Sequence, residues 1–147
     1  MNVMSIKLNE QGAIAYGNSE MCISGVFGSK ASPATAESFA CRLADDWSFL
    51  QPKHIFVGYN GQSWSRRLQP LGDVLDCFCK ENGVTLIKVA TARFQSKVAG
   101  HPSTKKQLFA LLKNAGPRSI HEADVMALLE FGCSYLADLA AAGGLKQ

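Results

Sequence analysis

Short apolar runs separated by turn residues fill the first part of the chain, and a helical period takes over after residue 34. Val3-Met4-Ser5-Ile6-Lys7-Leu8 predicts a strand, Asn9-Glu10-Gln11-Gly12 a turn, and Ala13 to Tyr16 a returning strand. Gly17-Asn18-Ser19-Glu20 turns again before a third strand from Met21 to Phe27. Three short strands joined by tight turns predict an antiparallel meander. The breaker-rich stretch Gly28-Ser29-Lys30-Ala31-Ser32-Pro33 ends it.

From Ala34 to Leu50, Ala36, Phe39, Ala40, Leu43 and Trp47 recur at helical spacing, with Glu37, Arg42, Asp45 and Asp46 on the other side. This predicts an amphipathic helix. His54-Ile55-Phe56-Val57-Gly58 suits a buried strand. Leu68 to Asn82 predicts a helix with Gly83 just past its end, and Thr85-Leu86-Ile87-Lys88-Val89 a further strand. Residues 93–102 fit no single element. Ser103-Thr104-Lys105-Lys106 caps a helix to about Asn114, Gly116-Pro117-Arg118 breaks it, and a last helix runs from about His121 to Ala141. Residues 1–142 thus predict one domain and 143–147 a frayed tail. The order β-β-β-α-β-α-β-α-α predicts an α/β fold, a mixed sheet with helices on both faces.

A chain of 147 residues, 47% hydrophobic and 18% charged, has the length and composition of one globular domain. No apolar run approaches the roughly 20 residues of a membrane span, and no signal-like segment opens the chain. The five cysteines, Cys22, Cys41, Cys77, Cys79 and Cys133, all have apolar neighbours. Reduced, buried thiols in a cytoplasmic protein are expected ahead of a zinc site, and the CxC spacing turns Cys77 and Cys79 to different sides. There is no GxGxxG and no P-loop. The net charge of +3 permits nucleic-acid binding without demanding it.

Candidate chemistry concentrates in two places. Glu122 and Asp124 open the last helix in His121-Glu122-Ala123-Asp124-Val125-Met126-Ala127-Leu128. Carboxylates there are favoured by the exposed N–H groups and the positive dipole end, or they hold a divalent metal or a substrate. Trp64, Arg66, Arg67, Arg93, Lys97, His101, Lys105 and Lys106 combine cations with an aromatic, as phosphate contact with base stacking requires. The alternative is an ordinary solvated charge distribution. Lys105 and Lys106 stand in a helix's first turn, where the dipole disfavours cations. His54 and His121 read as structural.

From Cys79 to about Phe131 the chain also resembles a known family. Cys79-Lys80-Glu81-Asn82-Gly83-Val84, Val89-Ala90-Thr91-Ala92-Arg93-Phe94, Gly100-His101-Pro102-Ser103-Thr104-Lys105-Lys106 and the Glu-Ala-Asp-x-x-Ala-Leu pattern of residues 122–128 are similar to the RuvC-like Holliday junction resolvases of bacteria and phages. The resemblance implies a ribonuclease H-like fold: a mixed five-stranded sheet, a three-strand antiparallel meander then αβαβα, with helices on both faces. It implies DNA, branched DNA included, as the ligand, and a homodimer. It also implies three or four carboxylates holding two Mg²⁺ ions. The first belongs mid-way along strand one, where this chain has Lys7, and the second at the end of the strand before the middle helix, where Val57-Gly58-Tyr59-Asn60 has no acid. Only Glu122 and Asp124 remain. The expectation is a catalytically degenerate domain that binds DNA and needs no metal. In it Lys7 replaces the metal as the partner of Asp124 and Glu122, unless the strand register turns Lys7 to solvent. The alternatives are a protein–protein interaction or inhibitor module on the same fold, and an active Mg²⁺-dependent endonuclease that recruits Glu10 or Glu20.

Overall fold

The computed structural model describes residues 2–9, 13–20, 23–59, 65–90, 93 and 120–143. Its elements are β1 (Val3–Leu8), β2 (Ile14–Asn18), β3 (Ile23–Phe27), α1 (Ala36–Leu50), β4 (His54–Tyr59), α2 (Gln69–Asn82), β5 (Thr85–Ala90) and α3 (Ile120–Ala141). Each was legible in the apolar pattern, with ends shifted by a few residues. The expected helix over 103–114 and the tail from 144 lie outside the described residues, as do Glu10, Cys22, Trp64, Lys97, His101, Lys105 and Lys106.

The strands form one sheet in the order β3-β2-β1-β4-β5. β1 pairs antiparallel with β2 and β2 with β3, whereas β1–β4 and β4–β5 are parallel. This is the predicted mixed sheet.

Strand alternation divides β1 between two cores. Met4, Ile6 and Leu8 join Ile14, Ile55 and Val57 under α1 and α2, which supply Phe39, Leu43, Leu71, Leu75 and Cys79. Val3 joins Phe56 and Val89 under α3, which supplies Ala127, Leu128, Phe131 and Leu136. Helices therefore cover both faces, with α3 alone on the second among the described elements.

Local chemistry sets the helix ends. Thr35 and Ser38 cap α1 reciprocally: Ser38 N–H donates to Thr35 Oγ1 (3.1 Å) and Thr35 N–H to Ser38 Oγ (2.8 Å). Gly83, at φ 66°, stops α2 in the left-handed conformation, and its N–H returns to the Cys79 carbonyl. Phe39 and Leu43 on the apolar stripe of α1 are buried, but Ala40 is exposed, because the sheet meets a narrower face of the helix than the five-residue pattern implied.

The expectation of uniformly buried thiols fails for Cys41 and Cys77, which are exposed. Both lie on the solvent sides of α1 and α2, where small apolar neighbours carry no burial signal. Cys79 is buried, two residues from exposed Cys77, as the spacing predicted. Burial, reinforced by Asp76, pushes its thiol pKa up to about 12.

Candidate functional site

The odd-numbered residues of β1 face α3, and pairing across the sheet extends them into two rows. One row runs Ser24, Gly17, Ser5, Phe56, Ile87; the next runs Val26, Ala15, Lys7, Gly58, Val89. In the first row the small residues Ser24, Gly17 and Ser5 let the start of α3 come close. Ser5 Oγ donates to the Val125 carbonyl at 2.8 Å, a fully buried bond, and Ser24 Oγ donates to Glu122 Oε2 at 3.0 Å. Farther along α3 the fit stays tight, since Gly132 lies directly against the Phe56 ring.

Lys7 is therefore not turned to solvent. It is 4% exposed, on the same face as α3, next to the row that meets residues 122–125. Its neighbours across the sheet are Ala15 and Gly58, whose minimal side chains leave the lysine stem room beside them. Glu122 is 7% exposed and Asp124 is fully buried. Among the described residues, Lys7, Glu122 and Asp124 are the only buried ionisable side chains other than the Cys79 thiol, and each makes polar or electrostatic contacts. Acids at a helix N-terminus are usually solvated, so the dipole alone explains the position of this pair but not its burial.

The donor set does not fit a pair of divalent ions. Among the described residues no group of three or more His, Cys, Asp or Glu side chains is placed to hold a metal. Next to the C-terminal end of β1 stands the Lys7 ammonium, which has three donors and no acceptor. A divalent ion about 4 Å from it is repelled by about 8 kcal/mol at an effective dielectric of 20. Gly58 supplies no side-chain ligand on β4. Glu20 is exposed in the turn after β2 and does not join the buried set.

Three of the candidate cations, Arg66, Arg67 and Arg93, are described and lie on the same edge. β1, β4 and β5 run parallel, so their C-terminal ends share the sheet edge nearest Lys7. Arg93 follows β5 there, exposed, with its guanidinium 5.3 Å from the centroid of the Phe131 ring. Arg66 and Arg67, also exposed, precede α2, which starts at that edge because it returns the chain from the end of β4 to the start of β5. Leu68 caps α2 with no side-chain bond, and the Ser65 carbonyl takes the N–H groups of Leu68 and Gln69. Two arginines beside a helix N-terminus gain nothing from its dipole, whereas both guanidinium groups suit an anionic ligand such as phosphate. The side chains of Tyr59 and His121 are outside the described set. His54 opens β4 at the opposite edge of the sheet, half-buried, its pKa lowered by burial and then by Lys53, consistent with a structural role.

Sequence reasoning missed Ser5, Ser24, Ala15 and Gly58. Ser5 and Lys7 are two apart in a strand, which puts both polar groups on one face, so that pair was within reach. Ser24 reaches Glu122 across 98 positions of sequence and carries no local signal.

No family model matches the sequence, and no curated protein matches it. Solved structures do. The chain superposes on RuvC of T. thermophilus in complex with a Holliday junction substrate with a TM-score of 0.75, covering 99% of this chain and 98% of that one at 17% identity. The chain has the RuvC fold. A second T. thermophilus RuvC structure gives a TM-score of 0.67 at 17% identity, covering 99% of each chain. The yeast mitochondrial Holliday junction resolvase Ydc2 gives 0.55 at 13% identity, covering 86% of this chain and 75% of that one. The mixed sheet with α1 and α2 on one face and α3 on the other is thus the ribonuclease H-like arrangement. No described helix of this RuvC fold is long and apolar enough to cross a membrane.

Proposed function

We propose that this chain is a RuvC-like domain that binds DNA, branched DNA included, and does not cut it by a two-metal mechanism. One observation carries the reading: Lys7, at the β1 position for which the resemblance calls for a carboxylate, is buried on the sheet face that meets the acidic start of α3. A fold shared with resolvases, one of them solved on a junction, supports DNA as the ligand class. The exposed Arg66, Arg67 and Arg93 at the C-terminal edge of the parallel strands support phosphate contact there.

Titration of a labelled four-way junction and a matched linear duplex, in EDTA and at two salt concentrations, tests the binding. The expected result is binding without metal, tighter to the junction, with log K falling linearly against log salt. Replacing Arg66 and Arg67 together by alanine reduces that slope by about two, one for each lost phosphate contact. No salt-dependent binding to either DNA would overturn the reading in favour of a protein–protein module.

A further inference from the structure

We infer that the Lys7 ammonium is a built-in cation that balances Asp124 and Glu122 in place of a bound divalent ion. The inference rests on the RuvC-like reading, which supplies the expectation of a metal site here, but its physical case is made by this chain's own residues.

Burying a carboxylate is costly unless it is paired or fully hydrogen-bonded. Two of them, Glu122 and Asp124, are buried within one turn of α3, and the helix N-terminus supplies only about half a positive charge. Ser24 donates to one oxygen of Glu122 but, being neutral, adds no positive charge. The buried cation among the described residues is Lys7, which the strand alternation puts on this face, beside the row bonded to α3 through Ser5 and Ser24. Ala15 and Gly58 flank it on both neighbouring strands. With little or no side chain at either, the register leaves a slot beside the stem of Lys7 on both neighbouring strands. The site's positive charge is therefore part of the polypeptide and is present at any metal concentration.

Thermal unfolding of the wild type, Lys7→Met and Lys7→Asp, each in EDTA and in millimolar Mn²⁺, tests this without reference to activity. Wild type should give the same Tm in both. Lys7→Met keeps the stem and removes the charge, and should lose about 10 °C or more in both conditions. Lys7→Asp should be the least stable in EDTA and regain several degrees in Mn²⁺, because it restores an acidic set open to a cation. If Lys7→Asp fails to fold in either condition, Lys7→Met decides alone. A Lys7→Met protein as stable as wild type would overturn the inference, as would a wild-type Tm raised by Mn²⁺ as much as that of Lys7→Asp. Junction binding by the wild type in EDTA is independent of these Tm values, so failure of the charge balance and failure of the DNA-binding reading are told apart.

Discussion

Phe56→Ala should lower the unfolding free energy by about 3–5 kcal/mol, measured by urea denaturation at unchanged m-value. Phe56 is fully buried on the α3 face of interior strand β4, and its ring meets Tyr135 edge-on with centroids 6.1 Å apart. The ring also sets how close α3 can approach. A Cβ at Gly132 would lie 2.7 Å from Phe56 Cδ1 and 2.9 Å from Cε1, well inside contact. Gly132→Ala should therefore destabilise the protein, although alanine is about 1 kcal/mol the better helix former. Overpacking costs about 1–3 kcal/mol and outweighs that gain because Phe56, enclosed on all sides, has nowhere to move. In a Phe56→Leu background the clash is relieved and Gly132→Ala should turn neutral or stabilising. Equal destabilisation in both backgrounds would mean that α3 is not seated on this ring.

In the Lys7→Met background, adding Asp124→Asn should restore stability. Lys7→Met alone leaves two buried carboxylates with no balancing cation, a defect of about 3–5 kcal/mol. Asp124→Asn keeps the side-chain size and removes one of those charges, leaving Glu122, which is held by Ser24. About half the loss or more should return, an interaction energy well above the 0.3–0.5 kcal/mol scatter of independent sites. In wild type the same Asp124→Asn change leaves Lys7 opposite Glu122 alone and should cost less than Lys7→Met. Additive effects in a denaturant series would place Lys7 and Asp124 in separate environments.

How much of this was legible beforehand follows from the range over which each feature is encoded. Helix and strand identities are local: Phe39 and Leu43 repeat at helical spacing, Gly83 marks the end of α2, and the breakers after Phe27 close the meander. The family resemblance, carried by residues 79–131, implies a carboxylate in strand one, and the order of elements set Lys7 there; the strand alternation of β1 then turned that residue inward. The slot around Lys7 was not legible, because Ala15 and Gly58 acquire meaning only once both strands pair with β1. Ser24 belongs to the same class: an unremarkable strand residue until α3 crosses β3. Burial of Cys41 and Cys77 was misjudged for a related reason, since apolar neighbours along the chain do not say which side of a helix meets the sheet.

The most direct test of the proposal that Lys7 stands where the resemblance implies a metal ligand is an incubation of the wild-type protein, in excess, with a labelled four-way junction in EDTA, Mg²⁺ or Mn²⁺. Products would be resolved on a denaturing gel and the complex on a native one. The account predicts a retained complex and full-length strands under all three conditions, because no divalent ion can share the site with Lys7. Strand cleavage that appears with Mg²⁺ or Mn²⁺ and is abolished by EDTA would contradict it.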